Sequence, residues 1–201
     1  MRFNELVEST SKTPIAIAQL ISRNCAPFIA ALNGDLMQYK LSRGIEQTAE
    51  FGIKKARLVG RKPTSTNPEH HAIWNNWFTE NFGHPYRNGI FVTGDQLVAS
   101  AYGTMYHIFP IGQYSILWNP KVGDLFNTMN GAMTKFWSNN PGQEWDKPDI
   151  DNALDQLKSD YRQDGIKEAI ASEKEIMLWC EQYYYLSEDA YRKLLVGMKQ
   201  L

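Results

Sequence analysis

The stretch IFVTGDQLVASAYGTMYHIFPIGQYSILW, residues 90–118, decides the fold class. Ile90-Phe91-Val92-Thr93 is a short apolar run of β-branched and aromatic residues, the pattern of a buried strand. Gly94-Asp95 ends it, with Asp95 placed to cap a helix over 96–102 that Gly103 closes. Tyr106-His107-Ile108-Phe109 forms a second strand and Pro110-Ile111-Gly112 its turn; residues 114–118 form a third, stopped by Asn119-Pro120. Short strands around a single helical turn predict a mixed α+β domain whose sheet is mostly antiparallel.

The chain on the N-terminal side reads as helical. Ser11 or Thr13 caps a helix that has Pro14 at its start, with Ile15, Ala18, Ile21 and Ser22 on one face. Pro27 starts a second helix, with Phe28, Ala31 and Leu32 inward and Asn33-Gly34 closing it. Residues 36–41 alternate loosely and read as a strand that ends in Ser42-Arg43-Gly44. A polar connection follows, with 61–68 a loop. Over 70–82, helical spacing returns through Ile73, Trp74, Trp77, Phe78 and Phe82.

On the C-terminal side, 124–137 is helical, 139–148 is a loop, and 149–158 and 165–171 are helices. Residues 175–185 hold two strands. Of Tyr183-Tyr184-Tyr185, one strand cannot turn all three inward, so at least one is expected at the surface or a cleft. Ser187 caps a terminal helix with Tyr191, Leu194, Leu195 and Met198 as its apolar face. The expectation is one domain over 1–201, helices concentrated early and sheet later.

Charge excludes one class of function. Lys and Arg number 21 against 22 Asp and Glu, a net charge of −1, so a generally basic nucleic-acid binder is not expected. No apolar run approaches the length of a membrane span, and the first residues lack a signal peptide's apolar stretch. The expected location is cytoplasmic, which would keep Cys25 and Cys180 reduced and in the core. Two thiols alone hold no metal, and adjacent His70 and His71 diverge by about 100° on a helix. They read as surface histidines, His107 as a structural one, and no metal site is expected.

Three elements carry the functional reading. Tyr39-Lys40-Leu41-Ser42-Arg43-Gly44 delivers an arginine just before a glycine. Phe91-Val92-Thr93-Gly94-Asp95 ends a strand in a hydroxyl, before a helix with Ala99 and Tyr102. Glu173-Lys174-Glu175-Ile176-Met177-Leu178 runs a Glu-x-Glu into an apolar strand, where residues two apart face the same side. Tyr86-Arg87-Asn88-Gly89 offers a rival arginine, only six residues before Thr93, and Arg61 a third in a loop suited to a substrate or partner.

In this order the elements resemble the arginine–serine–glutamate branch of the ADP-ribosyltransferase superfamily, over about 36–186. The middle motif departs from it, since Val92-Thr93-Gly94 stands where the family has Ser-Thr-Ser. The resemblance implies an α+β fold, a split antiparallel β-sandwich with N-terminal helices, around a bent NAD. It implies that Glu175 is the catalytic glutamate and that Glu173 orients an acceptor nucleophile such as a protein arginine. It further implies that Arg43, with Gly44, grips the NAD phosphates or ribose. Thr93 would hold the nicotinamide-side strand and position the glutamate, and Tyr102 would pack on the nicotinamide. The chain is also similar to bacteriophage-encoded proteins, which would place it in a host cytoplasm or a virion. Two other readings stand beside this one: a non-catalytic binding or virion-associated protein with the same fold, and a metal-dependent nuclease using Asp95, Asp124 and Glu175.

Overall fold

A computed structural model describes residues 13–61 and 66–201, so Ser11 and 62–65 of the expected loop lie outside the described residues. The strand-forming runs assemble into two antiparallel sheets, giving an α+β fold. One has four strands in the order β1 (Ser42–Ile45), β4 (Thr104–Pro110), β7 (Gln182–Leu186), β2 (Phe51–Lys55). The other has three, β3 (Ile90–Val92), β6 (Ile176–Trp179), β5 (Ser115–Trp118). Arg43 stands opposite Tyr106 in the first, and Phe91 opposite Met177 in the second.

Period-2 alternation divides the second sheet between two cores. Ile90, Val92, Ile116, Trp118, Ile176 and Leu178 join a core with the first sheet. The helices α1 (Pro14–Asn24), α2 (Ala26–Ala31) and α8 (Glu188–Met198) complete it. The interleaved Leu117 and Met177 point the other way, into a second core. That core is made by α3 (Pro68–Phe82), α5 (Leu125–Asn139) and α6 (Lys147–Lys158). Trp74, Trp77 and Phe78 are buried there, with Trp77 and Tyr161 both packed on Phe78. Among the described residues no helix is long and apolar enough to cross a membrane.

Several local expectations change. Residues 36–41 are not a strand: Asp35 accepts the Gln38 amide through Oδ1 and the Tyr39 amide through its carbonyl, turning the chain before β1. The polar connection contains β2, whose Gly52 leaves space for the Tyr185 ring. Helices are not concentrated early, because α5, α6 and α7 (Ile166–Ala171) separate β5 from β6. In α1 the inward stripe is Ile17, Ala18 and Ile21, while Ile15 is exposed. Thr13 caps that helix through the Ala16 amide.

Tyr183, Tyr184 and Tyr185 are all buried, because β7 is an inner strand of a sheet covered on both faces. The Tyr184 hydroxyl accepts from Asn24 Nδ2 of α1 at 2.7 Å, and Tyr185 meets Tyr106 edge-on. Cys25 and Cys180 are free and buried, and burial pushes both thiols up to about 12, away from nucleophile chemistry. His71, expected at the surface, is buried against Asn75.

His107 is buried on β4, where its Nε2–H donates to Glu188 at 2.8 Å and its ring lies 4.0 Å from Tyr191. Burial pulls His107 and His71 below their ordinary values despite the hydrogen bonds that favour the charged form. The unfolded chain therefore binds these protons more tightly. Stability should be full above about pH 6.5 and fall below it, by up to about 1.4 kcal/mol per pH unit for each histidine. Urea denaturation from pH 8 to 5 checks this, and His107→Gln should flatten the dependence.

Candidate functional site

The two sheets meet at one backbone pairing. Ser42 N donates to the Thr93 carbonyl at 2.8 Å, and Thr93 N returns a bond to Ser42 at 2.9 Å. The Thr93 hydroxyl donates to the Glu173 carbonyl at 3.1 Å and accepts the Asp95 amide at 3.0 Å. Asp95 then caps α4 (Gln96–Ser100) by accepting the Leu97 and Val98 amides. One buried threonine thus fixes β1, the start of α4 and the turn that carries Glu173. Gly44 lets α4 sit down on β1: a Cβ there would overlap the Ala99 carbonyl oxygen and lie 2.7 Å from the Tyr102 carbonyl carbon.

Beside this junction opens a cleft of about 1120 Å³, and Arg43, Gly44, Thr93, Tyr102, Glu173 and Glu175 all line it. Arg43 Nη1 donates to the Phe91 carbonyl at 3.1 Å, and burial draws its guanidinium below the ordinary value. Tyr102 follows α4 at the mouth and is 70 % exposed. Glu173 is exposed and has φ 59°, because it is the residue after the C-cap of α7, a left-handed position usually held by glycine. Glu173 and Glu175 therefore do not extend one strand, which starts at Ile176; the turn brings both to the cleft. The Thr93 hydroxyl holds the backbone of Glu173 rather than the Glu175 carboxylate.

Glu175 is fastened by its amide, which donates to the Gly123 carbonyl at 3.0 Å. Its side chain is only 14 % exposed, and Arg87 Nη1 donates to it at 3.1 Å. Burial raises the carboxyl above its ordinary value and Asp124 adds to the rise. Arg87, the Leu125 amide at the start of α5 and Arg61 pull it back, with burial prevailing.

Arg87 is the residue that sequence spacing misplaced. A 3-10 turn at Tyr86–Asn88 directs it back under the sheet. Its guanidinium lies 4.3 Å from the Phe91 ring centroid and 5.4 Å from that of Trp74. Arg61 sits on the same Phe91 ring at 4.4 Å and donates to the Gly89 carbonyl. Burial, then Arg43 and Arg87, draw Arg61 down to about 10. The cleft thus gathers three arginines in a chain of net charge −1.

Asp95 and Asp124 also line the cleft, but both cap helices, Asp124 through the Asn127 amide. Among the described residues no three His, Cys, Asp or Glu side chains converge to hold a metal ion. Comparison of the chain with known protein families, curated proteins and solved structures finds no significant match.

Two substitutions probe the junction. Thr93→Val keeps the volume but leaves the Glu173 carbonyl and Asp95 amide without their hydroxyl partner, and should cost about 1–3 kcal/mol in chemical denaturation. Gly44→Ala forces α4 off β1 and should cost a similar amount, about 1–3 kcal/mol, by the same measurement.

Proposed function

We propose that the protein is an NAD-dependent mono-ADP-ribosyltransferase that modifies a protein side chain. The observation behind this reading is the pairing of charges in one cleft. Arg43 and Arg61 face it with no carboxylate ion-pair partner among the described residues, while Glu175 supplies a nearly buried carboxylate. Unpaired guanidiniums suit an anionic ligand such as a diphosphate. A desolvated carboxylate suits positive charge that develops during reaction. NAD has both, in its diphosphate and in the ribose that becomes cationic as nicotinamide leaves.

The chemistry assigned to the residues follows from that match. Arg43 and Arg61 hold the diphosphate, and Tyr102 covers the nicotinamide side of the mouth. The bond between ribose C1′ and the nicotinamide nitrogen breaks with its electron pair leaving on nicotinamide. Glu175 faces the cation left on the ribose. The acceptor nitrogen forms the new bond to C1′, and its proton goes to the exposed Glu173 carboxylate. Leu97, Val98 and Tyr102 are exposed together on and after α4, which favours a protein over a small-molecule acceptor. If the chain is phage-encoded, that acceptor is a host protein in the cytoplasm.

Incubating the protein with labelled NAD and a cell lysate tests this. Transfer of label is expected with the wild type and a loss of about 100-fold or more with Glu175→Gln. Since Glu175 must be ionised and burial raises its proton affinity, the rate should fall on acidification with a midpoint above about 4.3. Neither NAD loss nor label transfer by the wild type would sink the enzymatic reading. Under the non-catalytic alternative, the protein would instead form a stable assembly and bind no NAD.

A further inference from the structure

We propose that Arg87 is the positioning residue for Glu175, holding its carboxylate ionised and at a fixed angle to the cleft. Its catalytic meaning rests on the NAD-dependent reading above, and its geometry does not.

The two side chains are 7 % and 14 % exposed, so their 3.1 Å contact is a shielded ion pair rather than a surface one. Arg87 has little freedom to leave it. Phe91 and Trp74 provide aromatic faces for its guanidinium. Asn75 Nδ2 donates to Asn88 Oδ1 at 3.1 Å, which steadies the same turn. A planar guanidinium stacked on Phe91 presents its N–H groups in one direction, which a lysine ammonium would not.

No other described side chain has this role. The Thr93 hydroxyl is committed to Glu173 and Asp95. The other charged or titratable groups facing Glu175 are Arg61, Asp124 and Tyr161, with the Leu125 amide at the start of α5. Arg61 hydrogen-bonds the Gly89 carbonyl, and Asp124 opposes ionisation of Glu175. Removing Arg87 would leave a nearly buried carboxylate with a cation only at longer range.

The test reads Glu175 directly. Protein labelled with ¹³C at the glutamate carboxyl carbons is titrated by NMR, with Glu175→Gln assigning the signal, in the wild type, Arg87→Met and Arg87→Lys. Arg87→Met should move the Glu175 midpoint up by about one pH unit or more. Arg87→Lys keeps the charge and should leave the midpoint near the wild-type value. In NAD turnover, Arg87→Met should lower kcat by about 100-fold and shift the acid limb upward with the titration, with little change in KM. Arg87→Lys should lower kcat by about 10-fold without moving the acid limb.

An unmoved carboxyl midpoint in folded Arg87→Met overturns the proposal, as does full kcat in Arg87→Lys. If Arg87→Met does not fold, Arg87→Gln replaces it in the titration, with the same upward shift expected. A wild type that consumes no NAD defeats the enzymatic reading alone, because the titration still decides what Arg87 does to Glu175. A merely structural Arg87 would lower thermal stability and leave the midpoint and acid limb in place.

Discussion

The cleft exists because two sheets touch through two hydrogen bonds between Ser42 and Thr93. Each sheet carries part of the site, and because apolar packing is non-directional their relative position depends on this contact together with the Arg43 bond to the Phe91 carbonyl. The backbone pairing adds direction, and the Thr93 hydroxyl extends it to the Glu173 turn and the first amide of the α4 cap. The close seating of α4 on Gly44 follows from the same junction. A buried hydroxyl that both donates and accepts is costly to leave unpaired, so the polar network and the apolar cores specify one arrangement together.

The second consequence is electrostatic. A chain with nearly balanced charge concentrates Arg43, Arg61 and Arg87 in one concavity, where low exposure strengthens each charge's effect on its neighbours. Only Arg87 has a carboxylate partner among them in the described ion pairs. The cleft lining is itself balanced, with Arg43, Arg61, Arg87 and Lys174 against Asp95, Asp124, Glu173 and Glu175, so the placement of these charges matters and their sum does not.

Elements with local causes were legible in the sequence. The caps by Asp95 and Ser187 rest on bonds within three residues. The strand at 90–93 and the two strands after Glu175 are marked by their own apolar and aromatic runs, although their pairing partners are distant. Arg43, Thr93, Glu173 and Glu175 were found through the order of their motifs, and the fold brings them to one cleft. What was not legible depends on partners distant in sequence. β2 has weak alternation and forms because β7 offers an edge. The tyrosine run is wholly buried because helices and the second sheet cover both faces of β7. Arg87 looked too near Thr93 to be separate, yet a tight turn gives six residues room to reverse the side chain toward Glu175.

Glu173 shows where folding and chemistry pull apart. Its φ of 59° is one that glycine adopts freely, and that places a penalty of about 1–2 kcal/mol on a side chain with a Cβ. A carboxylate at this point is therefore retained at the expense of the most relaxed turn. Replacing it with glycine would relieve the backbone and remove the acid from the cleft in a single step. Selection for thermostability alone would favour glycine here and would take a carboxylate out of the cleft lining, so backbone relaxation and the charge pattern of the cleft are coupled at one backbone angle.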